Sequence, residues 1–121
     1  IDKVQSLGVG EIILTEISKE GKNQGFDLKL YEEMRKKVDT QFVAHGGAGP
    51  LDNLVDLFKI CKLDAVSIAS IFHYNYLKPI KNEKLKGSNL FSQIHSENQK
   101  SGMSITDLKK YLISKEIKIR L

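Results

Sequence analysis

The sequence predicts an α/β fold with parallel strands. Three short apolar runs, "EIILT" at 11–15, "QFVAH" at 41–45 and "KLDAVSIAS" at 62–70, have the length and branched content of buried strands. Between them lie segments whose apolar residues recur at helical spacing. Strand, helix, strand, helix, strand at this spacing is the pattern of successive right-handed βαβ units. A glycine-rich turn, "HGGAGP" at 45–50, follows the second run at the point where such folds bind ligands.

Each element has its own signal. In "IDKVQSLGVGE" Val4 and Leu7 followed by Gly8 read as the last turns of a helix closed by a C′ glycine, so the chain is expected to begin inside an element. The run 11–15 reads as a strand buried on both faces. "EISKEGKNQGFD" is then a polar loop too long for a minimal connector, which points to a functional loop. Asp27 is the expected N-cap of a helix to about Val38, with Leu30, Tyr31, Met34 and Val38 on one face. Gly49 and Pro50 suit the cap and first position of the next helix, whose stripe is Leu51, Leu54, Val55, Phe58 and Cys61. After the third strand, "IFHYNY" is expected to make a short helix, and the polar, lysine-rich stretch from about 77 to 102 an inserted excursion. An amphipathic helix closes the chain, with Ile105, Leu108, Tyr111 and Leu112 inward and Ser104 with Asp107 in a capping box.

Composition narrows the class of protein. The chain has 121 residues, 40% of them hydrophobic and 28% charged, which suits one domain with a modest core. No apolar run approaches the roughly 18 residues of a membrane span, and the N-terminal residues lack the pattern of a signal peptide, so the expected location is the cytoplasm, with no membrane partner. The formal charge of +4 comes from lysines set beside acids, as in "EEMRKK" and "DLKKYL", which are solvated helix faces. Nucleic-acid binding would need a basic stripe interleaved with aromatics, and none is present. The single cysteine, Cys61, lies in the helical stripe as a small core residue, and His95 has no neighbours in sequence that suggest a metal. No cofactor is expected.

The glycines carry the chemistry. Consecutive backbone N–H groups beyond the carboxyl ends of parallel strands suit a phosphate, and barrels of eight βα units often build that site from two successive loops with a short helix. Gly46 and Gly47 follow one strand, and Ala69 and Ser70 end the next, so together they form two sides of one expected cradle.

"GEIILT", "KEGKNQGFDLKL", "HGGAGPLDNL", "DAVSIASIFHY" and "TDLKKYLISKEIKIRL" occur here in the order of the C-terminal half of a known family. The chain resembles the cyclase subunit of imidazole glycerol phosphate synthase, over residues 1 to about 74 and again from about 103 to 121. The resemblance implies a (β/α)8 phosphate-binding barrel of the ribulose-phosphate type, of which residues 1–121 supply strands six to eight with their helices. It implies a phosphate site at Gly21, Gly46, Gly47, Ala69 and Ser70, with Thr15 lining the substrate channel and Glu20 standing where the family has aspartate. From the residues alone, Thr15 also reads as a strand-end hydroxyl satisfying a loop amide, and Glu20 as a solvated loop charge. The bare backbone of the glycine turn is expected to let phosphate oxygens approach the main chain.

His45 and Ser18 depart from the family's serine and aspartate; His45 is a candidate donor to a phosphate or substrate hydroxyl, or packs on a neighbouring loop. His73 matches a family residue of structural role. A complete barrel takes about 250 residues. The family's general acid and base are aspartates ending the first and fifth strands, upstream of Ile1, so no catalytic pair is expected in this chain and the chain alone is expected to be inactive. The implied activity of the whole is a lyase and cyclase that uses ammonia from a glutaminase partner to form imidazole glycerol phosphate and an aminoimidazole carboxamide ribotide. The departures raise an alternative, a paralogue for ammonia-dependent amidation of a surface-polysaccharide sugar. A non-catalytic half-barrel module is a third reading, and "IKIRL" with "ASIFH" argues against a related sugar-phosphate isomerase.

Overall fold

The computed structural model describes residues 1–76 and 102–120. In chain order the elements are α1 (Asp2–Gln5), β1 (Glu11–Thr15), α2 (Leu28–Arg35), β2 (Gln41–His45), α3 (Leu51–Lys59), β3 (Ala65–Ser67), α4 (Ser70–Tyr76) and α5 (Ile105–Ser114). The strands form one parallel sheet in the order β1-β2-β3, as the alternating pattern predicts. The insert read at about 77–102, and His95 with it, lies outside the described residues apart from its last position.

Side chains alternate across the sheet, so register fixes two faces. Ile12 and Leu14 of β1, Phe42 and Ala44 of β2 and Val66 of β3 join one apolar core with Tyr31, Leu54, Leu57, Cys61, Leu108 and Leu112 from the helices. The opposite face carries Glu11, Ile13 and Thr15 in register with Gln41, Val43 and His45, and the latter two with Ala65 and Ser67. The expected burial of β1 on both faces does not hold, because the helical core covers one face and β1 lies at the sheet edge. Ile13 is 58% exposed as a result.

Helix limits follow local hydrogen bonding. Asp27 caps α2, its Oδ1 accepting from the Leu30 N–H at 3.1 Å. The helix stops at Arg35, short of the expected Val38, where the Arg35 guanidinium captures the turn. It donates to the Val38 and Thr40 carbonyls at 2.6 and 3.1 Å and pairs with Asp64 at 2.9 Å. Asp64 Oδ2 also accepts from the Phe42 N–H at 2.8 Å, which ties this turn to the start of β2. In α3, Pro50 is the cap and Leu51 the first residue, one position later than expected. The stripe is wider than Leu51, Leu54, Val55, Phe58 and Cys61, since Leu57 is completely buried. In α5 the Ser104 hydroxyl oxygen accepts from the Asp107 N–H at 3.1 Å, and the hydroxyl donates to the Asp107 carboxylate at 2.7 Å. Leu108 and Leu112 carry the burial of α5, while Ile105 in its first turn is 52% exposed rather than inward. Tyr111 donates across to Asp52 of α3 at 2.8 Å.

Tyr31 sits at the centre of the core, fully buried between Phe26 and Phe42. Its hydroxyl lies 2.8 Å from the His45 carbonyl oxygen and 3.0 Å from that of Leu14, sharing one proton between the carboxyl ends of β1 and β2. Burial, the largest cause, pushes the phenol pKa up to about 12, since a phenolate there would be desolvated. The folded state thus favours the neutral phenol. Its contribution is whole below the ordinary value of about 10 and is lost as pH rises through about 12. Tyr31→Phe should cost about 1–2 kcal/mol near pH 8 in urea unfolding. The gap between the two proteins should shrink as pH rises past about 10; a gap constant to pH 12 would show that the hydroxyl does not carry this dependence.

Candidate functional site

The three strands end side by side, and the loops that leave them converge. β1 runs into the 16–27 loop, β2 into the glycine turn, and β3 through Ile68 and Ala69 into α4. Gly46 and Gly47 have φ of +88° and +106°, a region that side-chain-bearing residues rarely adopt. A Cβ on Gly46 would lie 2.8 Å from the Glu16 carbonyl oxygen, and one on Gly47 would lie 3.1 Å from that of Gly25. A Cβ on Gly49 would overlap the Asn23 carbonyl. The missing side chains therefore make room for the 16–27 loop. The expectation from sequence was room for a ligand, and the packing gives these glycines a loop-docking role besides.

Main-chain contacts hold the docked loop. The Gly25 N–H donates to the Gly47 carbonyl at 2.8 Å. The Asn53 amide on α3 grips Phe26 at both ends, accepting from its N–H at 2.6 Å and donating to its carbonyl at 3.1 Å. Glu16 stiffens the loop from within, accepting from the Ser18 hydroxyl at 2.9 Å and the Asp27 N–H at 3.3 Å, with Lys19 at 4.0 Å.

A shallow, open cleft results. Glu20, Gly21 and Asn23 form one wall, His45 to Ala48 the floor, and Ser67 to Ser70 the other wall. Seven of the eight residues singled out from sequence line it: Glu20, Gly21, His45, Gly46, Gly47, Ala69 and Ser70. Thr15 is reached through His45, whose Nδ1 lies 3.1 Å from Thr15 Oγ1. The His45 Nε2 lies 3.8 Å from a Glu20 carboxylate oxygen. Read by register, Thr15, His45 and Ser67 form a polar row across the three strand ends. His73 is exposed on α4 and does not line the cleft.

Four residues of this arrangement were not singled out from sequence as site residues. Ser67 and Asn23 face the cleft, while Glu16 and Asn53 position its loop. The period-two spacing of Ser67 within β3 was the available signal; a first-turn Asn on a helix carries none. Asn23 has φ of +53°, and its Oδ1 is buried without a hydrogen-bond partner among the described residues. Among the described residues no group of three or more His, Cys, Asp or Glu could hold a metal, and no helix is long and apolar enough to cross a membrane.

The family model described as "Histidine biosynthesis protein" matches residues 1–78. An imidazole glycerol phosphate synthase subunit HisF of Bacillus cereus (strain Q1) is 43% identical over 72 residues, 60% of this chain and 29% of that protein. The HisF subunit of Hydrogenobaculum sp. (strain Y04AAS1) is 39% identical over 93 residues, covering 76% of this chain and 37% of its own length. That of Lactococcus lactis subsp. cremoris (strain MG1363) is 38% identical over 86 residues, 69% and 33%. The chain spans about a third of the length of these relatives.

The docking role of the glycine turn has a direct test. Gly46→Ala should destabilise the protein by about 2 kcal/mol, from the left-handed backbone and the overlap with Glu16, and should speed amide hydrogen exchange across 16–27. Gly21 also has positive φ but open space around it, so Gly21→Ala should cost only the backbone component, about 1 kcal/mol. Equal exchange profiles for the two variants would overturn the loop-docking account.

Proposed function

The chain belongs to the histidine biosynthesis protein family, and from that premise we propose that residues 1–121 are the C-terminal part of a single (β/α)8 barrel, strands six to eight with their helices. Two features support this placement. The face of the sheet turned away from the helical core is apolar at its centre, with Ile13 exposed and Val43 buried beside it, the character of a barrel interior that further strands would complete. The cleft lies at the carboxyl ends of the strands, the end at which barrels of this kind bind ligands.

The whole protein is then a cyclase and lyase of histidine biosynthesis, located in the cytoplasm. It takes ammonia from a glutaminase subunit and converts a substrate with a phosphate at each end into imidazole glycerol phosphate and an aminoimidazole carboxamide ribotide. The observation that carries this reading is the convergence of Gly21, Gly46, Gly47, Ala69 and Ser70 on one cleft. In that role backbone N–H groups of these residues hold one terminal phosphate, and the Thr15 hydroxyl faces the substrate beyond it. Fixing both ends of the substrate turns ring closure into a reaction between groups already held in place. Proton transfers fall to the two aspartates that the family resemblance implies in the preceding strands, so residues 1–121 alone are expected to be inactive. Glu20 and His45 support the site by orienting the substrate end and the glycine turn.

One observation favours a second reading. His45 fills the end of β2 with an imidazole held between Thr15 and Glu20, a bulkier and more polar mouth than a serine would leave. That would suit an altered acceptor, as in ammonia-dependent amidation of a surface-polysaccharide sugar. Turnover of the histidine-pathway substrate by the intact protein with ammonium salt separates the two. The cyclase reading expects turnover, with Thr15→Val lowering kcat/KM by about tenfold through loss of a substrate hydrogen bond. Phosphate binding without turnover would favour the amidation paralogue, and a barrel lacking both upstream aspartates would favour a non-catalytic module.

A further inference from the structure

The charges around the cleft do not match an anion. Among the described residues that line it there is no lysine or arginine, and its titratable groups are Glu20 and His45. A phosphate entering beside the Glu20 carboxylate meets like charge, in surroundings where such repulsion is stronger than in bulk water. Backbone N–H dipoles supply partial charges only.

We propose that anion binding in this cleft is proton-linked through His45: the imidazole takes up a proton as phosphate binds and supplies the cation that offsets Glu20. The proposal deepens the phosphate-site reading above and rests on it. The geometry suits a group that changes its protonation state in place. Nδ1 faces a hydroxyl, Thr15 Oγ1 at 3.1 Å, which donates to a bare nitrogen and accepts from a protonated one. Taking up the proton therefore breaks no hydrogen bond. Nε2 lies 3.8 Å from a Glu20 carboxylate oxygen and both residues line the cleft, so an imidazolium there would offset that carboxylate beside the space an anion would fill. Histidine is the side chain whose charge changes most readily near neutral pH.

The other groups near His45 leave this pairing intact. Of the charged residues on the β1–α2 loop, Glu16 is engaged by Ser18, the Asp27 N–H and Lys19. Lys22 is exposed and does not line the cleft. From α2 comes the Tyr31 hydroxyl, which donates to the His45 carbonyl and, with its pKa pushed up to about 12, is neutral near pH 7. In register, β3 contributes the uncharged Ser67.

The experiment is calorimetric titration of the intact protein with inorganic phosphate and with sulfate, at pH 6 to 8, in two buffers of different ionisation enthalpy. Sulfate is the stricter probe, since it stays a dianion throughout while phosphate itself gains or loses a proton in this range. The expected result is net proton uptake on sulfate binding and an affinity that falls at least about fivefold from pH 6 to pH 8. His45→Gln should abolish the uptake, and Glu20→Gln should tighten binding at pH 8 and flatten the pH dependence. In the unsubstituted protein the His45 ring resonances should move toward the imidazolium position when sulfate is added at pH 7.5. Binding without proton uptake, or uptake that survives His45→Gln, would overturn the proposal and leave the phosphate site standing. If neither anion binds at any pH, the phosphate reading falls and this inference falls with it.

Discussion

The Tyr31 hydroxyl between two strand carbonyls sets the level on which the rest of the site is assembled. Parallel strands have no hairpin to fix their relative height, and the ladder between β1 and β2 ends at Thr15 and His45. Past that point both chains turn away; the His45 carbonyl accepts from the Glu16 N–H at 3.0 Å as well as from the phenol, and the Leu14 carbonyl accepts from the same phenol. A phenol on α2 meets both, so the helix, the two strand ends and the aromatic cluster of Phe26, Tyr31 and Phe42 are fixed together. The Thr15–His45 contact on the far face of the sheet depends on that shared height.

The second constraint is steric. The loop after β1 can lie against the turn after β2 only if that turn has no side chains on the approached side, and the positive φ of Gly46 and Gly47 aims the vacancy at it. One structural economy follows: the turn proposed to hold a phosphate is also the turn against which the 16–27 loop docks. Under that proposal a tight turn and a binding turn are one object, and the two roles of the glycines do not exclude each other.

How much of this was legible beforehand can be judged residue by residue. The α/β class, Asp27 as a cap, Cys61 as core and the convergence of Gly46 and Gly47 with Ala69 and Ser70 follow from spacing and turn chemistry, which are local, while Gly21 and Glu20 are pointed to by the family resemblance alone. The failures are all tertiary. Ile13 reads as buried because its run is continuously apolar, yet which face is covered depends on where the helices lie. α2 stops early because Arg35 finds Asp64 and Phe42 far along the chain. Asn53 holds the loop by matching the two backbone atoms of one distant residue, and no pattern along the chain encodes that. Leu57 lies outside the narrow stripe because α3 is covered on more than one flank.

The loop grip described earlier is made almost entirely to backbone atoms: Asn53 to Phe26, Gly25 to Gly47, Tyr31 to two carbonyls. The Arg35–Asp64 pair braces the opposite end of the sheet. Neither device uses the side chains of Glu20, Asn23, His45 or Ser67. Glu20, His45 and Ser67 are therefore open to drift by single codon changes without unseating the frame that displays them, whereas the positive φ of Asn23 favours Asn, Asp or Gly there. The side chains that face the cleft can thus change while the sheet and its docked loop keep their places.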